Sequence, residues 1–282
     1  MRAPAARGDA AWISVRYRSL FAAFLGCAVL STAGCSGGQS AAGSSFEPAT
    51  PGVLTVATAF LPAPGFWEGS PPYSGFEAGL AAALAKHLGL DHVAVVQAPF
   101  AAIVGGKLRG ADLAISQLTP TKKREHSLEF STPYLNAPAG VLARQGVEAS
   151  DIESLRKLRW VVSRVSTLTP IVMNRIRPSA DPIVVLDRSR ALQILRSGRA
   201  DALLLDLPVA LGLARDDPVL FQVLGQLSIN EGLAAALPKG SRNVEVVDSA
   251  IRSLQADGTV DKLVTRWLGE SQEDVPLIRT ED

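Results

Sequence analysis

Two residues of opposite charge carry the strongest chemical signal in this sequence. Arg124 closes the polar run Gln117-Leu118-Thr119-Pro120-Thr121-Lys122-Lys123-Arg124, which follows the apolar segment Leu113-Ala114-Ile115. Asp206 follows a second apolar segment, Ala202-Leu203-Leu204-Leu205. A guanidinium offers a planar fork that matches a carboxylate with two parallel hydrogen bonds. An aspartate accepts from an ammonium. Facing each other across a cleft, the two would grip the backbone ends of a free amino acid. Ser166-Thr167 is a third candidate, because it precedes Thr169-Pro170. A helix start there would offer free N–H groups and partial positive charge to an anion. Taken singly, each has a plainer reading. Arg124 could be a solvated loop charge beside Lys122 and Lys123, and Asp206 and Ser166-Thr167 could be helix caps.

The elements that must position these groups follow from periodicity and turn residues. Val53 to Ala57 reads as a strand, and Leu61 to Ser74, rich in Pro and Gly, as a loop. Phe76, Leu80, Leu84 and Leu88 recur every fourth residue, which predicts a helix over Glu77 to Leu88 with Gly89 as its stop. Val93 to Val96 is a strand, Ala101 to Arg109 a helix weakened by Gly105 and Gly106, and Leu113 to Ile115 a buried strand. This β-α-β-α-β order implies a parallel sheet covered by helices.

A second series starts at Ser150, which has capping-box spacing to Glu153. Trp160 to Val162 is a strand, a helix opens at Thr169, and Ile183 to Leu186 is a strand. Arg190 to Leu195 is a helix ending at Gly198, and Ala202 to Leu205 is a strand. The halves echo one another. Each has a helix end, a Gly, then Ala-Asp entering an apolar strand, at Leu108 to Leu113 and at Leu195 to Ala202. Leu233 to Leu237 is a last strand, followed by helices over Val244 to Ala256 and Thr259 to Trp267 and a loose charged tail, 270–282. In open α/β sheets ligands bind beyond the carboxyl ends of strands, which is where Arg124 and Asp206 fall.

Composition narrows the function classes. The formal charge of the 282-residue chain is +1, and residues after 34 hold 24 basic and 26 acidic side chains. That balance argues against a nucleic-acid partner. The three histidines (His87, His92, His126) do not cluster with cysteine, so no metal site is suggested. The absence of GxGxxG and GxxxxGK[ST] patterns leaves no cofactor indicated. The two cysteines are Cys27 and Cys35, so the chain beyond residue 35 has no disulfide or thiol chemistry.

The N-terminus specifies a compartment. Arg16 and Arg18 precede the apolar run Leu20 to Leu30, which ends in Ser31-Thr32-Ala33-Gly34-Cys35. A basic start and a short apolar core describe a secretory signal, too short to span a bilayer. The small residues ending at Cys35 resemble the lipobox of bacterial lipoproteins. That resemblance implies a cleaved signal peptide (1–34), lipid on Cys35, and anchoring to the outer face of the cytoplasmic membrane. Residues 35–52, rich in Ser, Gly, Ala and Pro, read as a flexible tether.

Several short stretches, in order, resemble the family 3 extracellular solute-binding proteins, the amino-acid receptors of ABC importers. They are Gly75-Phe76-Glu77, Gly110-Ala111-Asp112-Leu113, Thr119-Pro120-Thr121-Lys122-Lys123-Arg124 and Phe130-Ser131-Thr132-Pro133-Tyr134. Ser166-Thr167, the block Gly198 to Asp206, and Ala256-Asp257-Gly258-Thr259 complete the set. The resemblance covers about residues 53–268. It implies the two-lobed type II periplasmic-binding-protein fold, each lobe a mostly parallel sheet flanked by helices. Lobe 1 would be 53–138 plus 232–269 and lobe 2 would be 139–231. Two hinge segments, near Asn136 to Gly140 and Ile229 to Gly232, would join them.

The resemblance also implies roles. Arg124, Thr119 and the backbone near Gln117 would hold a ligand α-carboxylate, with Ser166 and Thr167 donating from lobe 2. Asp206 would take the α-ammonium, and Phe100, with Phe66 or Trp67 opposite, would wall the side chain. The partners would be a free amino acid and an ABC permease with its ATPase, the protein being a monomer and not an enzyme. There are departures. Val165 stands where the family has Gly, Gly79 replaces an acid, and the acid useful against cationic ligands is missing at Ala59, so a polar or small amino acid is expected. Two other readings remain: a cleft dehydratase acting on prephenate or arogenate, with Glu231 and His126 as remote acid–base candidates, and a ligand-sensing module.

Overall fold

The computed structural model describes residues 45–229, 231–269 and 274–279. The expected signal peptide, Cys35 and the tether up to residue 44 lie outside the described residues. In chain order the first lobe holds β1 (Val53–Thr58), α1 (Phe76–His87), β2 (His92–Gln97), α2 (Phe100–Val104), β3 (Leu113–Ala114), α3 (Lys122–Glu125) and β4 (Leu128–Asn136). The second lobe follows with β5 (Ala139–Arg144), α4 (Ile152–Lys157), β6 (Val161–Ser163) and α5 (Thr169–Ile171), which continues as a π-helical turn over Val172–Ile176. It is completed by β7 (Ile183–Val185), α6 (Arg188–Arg196), β8 (Ala202–Asp206), α7 (Leu207–Asp216) and β9 (Phe221–Leu227). The chain then returns to the first lobe with β10 (Gly232–Pro238), α8 (Val244–Ala256) and α9 (Thr259–Trp267), and ends in β11 (Leu277–Ile278).

The first sheet has strand order β2-β1-β3-β10-β4, and β10 is antiparallel to both neighbours. The second has order β11-β9-β5-β8, with β5 antiparallel to β8 and β9. A parallel pair, β6-β7, joins β8 through the bridge Trp160–Ala202. In each lobe the reversed strand is the one arriving directly from the other lobe. Parallel strands need a crossover connection, and these two strands arrive without one. The crossings lie side by side, with Ala137 N donating to Glu231 O at 3.0 Å.

Burial explains the helices. Phe76, Leu80 and Leu84 of α1 are buried, as are Val247, Ile251 and Leu254 of α8. Gly79 faces α9, where an added Cβ would come within 2.6 Å of Leu263 Cδ2. The missing acid at that position therefore coincides with close helix packing.

The echo between the halves has a structural counterpart. Asp112 N donates to Thr55 O at 2.9 Å, and Asp112 Oδ2 accepts from Thr55 N at 2.7 Å. Asp201 N donates to Arg159 O at 2.7 Å, and Asp201 Oδ2 accepts from Arg159 N at 3.0 Å. Both aspartates clasp a neighbouring segment with the same pair of bonds.

Four expectations need correction. The helix expected over Ala101 to Arg109 stops at Val104, because Gly105 ends it and Gly106 turns at φ 81°. The cap of α4 is Asp151, reciprocated by Ser154, and Ser150 plays no such part. Residues 45–52 are docked to lobe 1 and are no tether. Glu47 N donates to Asn243 Oδ1 and Asn243 Nδ2 to Glu47 O, both at 2.9 Å, while Ala49 N donates to Asp112 Oδ1 at 2.6 Å. The tail is not loose throughout: β11 pairs with β9 and Ile278 is buried against Gly225.

Candidate functional site

One cavity lies where strand ends of both lobes converge. Lobe 1 supplies Leu61 after β1, Phe100 after β2, and Gln117, Thr119 and Arg124 after β3. Lobe 2 supplies Ser166 and Thr167 after β6, Arg188 after β7, and Asp206 at the end of β8. Each lobe thus contributes three carboxyl strand ends, the position where open α/β sheets hold ligands.

Arg124 is placed by short-range chemistry. Thr121 Oγ1 accepts from Arg124 N at 3.2 Å and starts α3. Arg124 as a whole is 8% exposed; its guanidinium donates to Thr119 O at 2.8 Å and to Val165 O of lobe 2 at 3.2 Å, and lies 5.5 Å from the Phe100 ring centroid. Burial pulls its pKa down, while Asp206 and Glu231 support the charge. Val165 is outside the left-handed region, so the exchange of Gly for Val brings no backbone strain.

Behind this strand end sits a network that the sequence did not announce. Glu77 of α1 is fully buried. Its carboxylate accepts from Gln117 N at 2.7 Å, Gln117 Nε2 at 3.0 Å and Tyr134 Oη at 2.6 Å. Gln117 has φ 49°, a conformation non-glycine residues seldom adopt, and the Glu77 bonds hold it there. Burial raises the Glu77 pKa, opposed by those hydrogen bonds. Gly75-Phe76-Glu77 and Phe130 to Tyr134, matched above only as family motifs, therefore meet beneath the cavity.

In lobe 2, Asp206 is buried and its pKa is raised by desolvation, opposed by Arg188 and Arg124. Arg188 was missed. Its side chain is 13% exposed, lies 3.7 Å from Asp206 Oδ2, and donates to Gln117 Oε1 of lobe 1 at 2.7 Å. The signal was present: Asp187 caps α6 directly after β7, so Arg188 follows a strand end as Arg124 does. Glu231, on the returning crossing, accepts from Thr167 Oγ1 at 3.3 Å, and its pKa is raised by burial first and by Asp206 second.

The structure brings Arg124, Thr119, Gln117, Phe100, Ser166, Thr167 and Asp206 around one cavity. Phe66 and Trp67 do not join them. Phe66 is wholly buried against Phe76 at 5.9 Å, because Gly75 and Gly65 fold the loop back onto α1. Trp67 points its Nε1 at Ile115 O, 3.1 Å away, and braces β3 from behind. Leu61 takes the wall position instead. His126 is exposed, with Nδ1 2.6 Å from Lys122 O.

The sequence model of the bacterial extracellular solute-binding proteins, family 3, matches residues 54–270. The chain belongs to that family. The L-cystine-binding protein TcyJ of Escherichia coli K12 is 28% identical over 199 residues, covering 70% of this chain and 74% of the relative. An ancestral arginine-binding protein bound to glutamine superposes with a TM-score of 0.67 at 28% identity, covering 78% of this chain and all of that one. The ancestral amino-acid-binding protein AncCDT-1, described as a precursor of cyclohexadienyl dehydratase, gives a TM-score of 0.65 at 29% identity, covering 77% and 95%. The two sheets flanked by helices are the type II periplasmic-binding-protein fold of these solute-binding relatives. Among the described residues no helix is long and apolar enough to cross a membrane.

Proposed function

We propose that this solute-binding protein captures a free amino acid between its lobes and delivers it to an ABC permease. Arg124 takes the α-carboxylate, with Thr119 and Gln117 behind it and Ser166 and Thr167 donating from lobe 2. Asp206 takes the α-ammonium, while Phe100 and Leu61 flank the side chain. The observation that supports this most is the seating of Arg124 and Asp206 on opposite lobes of one cavity. Relatives named for cystine and arginine, one holding glutamine, share no side-chain chemistry. Their ligands have in common only the α-carboxylate and α-ammonium that such a grip reads. Closing the lobes would exclude water and strengthen both contacts.

The N-terminal sequence supports export and lipid attachment at Cys35, placing the domain outside the cytoplasmic membrane. Cys35→Ala is expected to move the protein from the membrane fraction to the supernatant. A dehydratase is the second reading. It rests on Glu231, a carboxyl with raised pKa beside the cavity, as a general acid requires. A thermal-shift panel of amino acids plus prephenate separates the two. A ligand that binds only the folded state raises the melting temperature. Stabilisation by an amino acid, lost in Arg124→Ala, supports the receptor; consumption of prephenate supports the enzyme.

A further inference from the structure

The grip just proposed accounts for Arg124 and Asp206 and leaves Arg188 without a task. Arg188 lines the same cavity with most of its side chain removed from water. Of its guanidinium N–H donors one is committed, to Gln117 Oε1. Its carboxylate neighbour Asp206 is 3.7 Å away, beyond a hydrogen bond. Asp187 also reaches the cavity wall, but its Oδ1 accepts from Arg190 N at 2.9 Å as the cap of α6. Glu77 supports the Arg188 charge through space, but its oxygens are taken by Gln117 and Tyr134, so it offers Arg188 no direct hydrogen bond.

Asp206 is therefore flanked by two guanidinium groups, Arg124 and Arg188, both of which act on its charge. With Asp187 spent as a cap and Glu231 near Arg124 outside the lining, the remaining charged groups of the cavity wall run positive, negative, positive: Arg124, Asp206, Arg188. An amino acid with an acidic side chain presents the complement: α-carboxylate, α-ammonium, second carboxylate. A neutral side chain would leave Arg188 desolvated with an incomplete set of acceptors, and a cationic one would oppose it. A planar fork is also the group best suited to a second carboxylate.

We propose that Arg188 is a specificity-determining residue and that the cavity takes an α-amino acid carrying a side-chain carboxylate, of the aspartate or glutamate type. The inference rests on the amino-acid reading above.

Titration calorimetry of the full-length protein with L-aspartate, L-glutamate, L-asparagine and L-glutamine tests it. Each acid and its amide differ by little more than a charge. One acid is expected to bind about tenfold or more tightly than its amide. Arg188→Met should weaken the acid by about 30-fold or more, because a buried charge loses its partner, and move the amide far less. Arg188→Lys keeps the charge without the fork and should restore part of the preference. If Arg188→Met fails to fold, the lysine variant carries the test by a reduced preference. An amide that binds as well as its acid overturns the inference and leaves the amino-acid reading standing. So does an acid preference unchanged in both variants, or strong binding of some other amino acid with none of these four. Failure of every amino acid removes both.

Discussion

The two lobes build their halves of the cavity in different ways. Lobe 1 concentrates its polar groups in one run, Gln117 to Arg124, after a single strand, and stiffens it from below with Glu77 and Tyr134. Lobe 2 gathers Ser166 and Thr167, Arg188, and Asp206 from three separate strand ends. A contiguous run is a local motif, held by turn chemistry and a cap. A dispersed set exists only once β6, β7 and β8 stand side by side. The lobe-1 half is therefore preorganised by a local cap and turn with the Glu77 anchor beneath them, and the lobe-2 half by sheet order.

The comparison breaks most visibly at Arg124. Arg124→Ala should weaken ligand binding by about 2–5 kcal/mol in calorimetry, because a buried carboxylate loses its fork. An unchanged dissociation constant would mean that lobe 1 does not hold the carboxylate.

On the other lobe, Asp206→Asn should cost about 1.5–3 kcal/mol of binding, the value of a hydrogen bond to a charged group. Its pH dependence sharpens the point. Desolvation raises the Asp206 pKa in the free protein. An ammonium binds the ionised form, so affinity should fall as pH drops through that raised value. The Asn variant should lose this dependence over the same range.

Glu77→Gln tests whether lobe 1 is stiffened from below. The amide cannot accept from all three partners, so denaturant unfolding should show a loss of about 1–3 kcal/mol. The folded-state pKa of Glu77 is raised above its usual 4.5. The folded state therefore holds more protons than the unfolded one between those two values. By linkage, Glu77's contribution to stability falls as pH rises through that window, and the Gln variant should lack this slope.

The smallest effect is expected in lobe 2. Ser166→Ala should cost about 0.5–1.5 kcal/mol of binding, since one hydroxyl among several donors is removed.

These differences follow how legible each half was. Arg124 could be placed because Thr119 to Arg124 lies next to a strand in the chain, and Asp206 because it ends one. Phe66 and Trp67 were misplaced because an aromatic loop says nothing of direction. Positive φ at Gly65 and Gly75 turns Phe66 into the core, and the Trp67 indole finds the Ile115 carbonyl just past β3. Glu77 entered only as the last residue of the Gly75-Phe76-Glu77 motif, since a sequence does not show that Gln117 and Tyr134 converge on it. The β11 pairing escaped because two residues carry no periodicity.

By itself the sequence determined the alternation of strands and helices, the ends of α8 and α9, the Ala-Asp echo and the two charged residues after strands. Each is a matter of local period, capping or adjacency along the chain. Only the tertiary structure decided that Arg188 stands beside Asp206, that Gln117 bridges Arg188 to Glu77, and that residues 45–52 and β11 are docked. Those contacts join residues far apart in the chain, and burial, which no local pattern encodes, sets their energies.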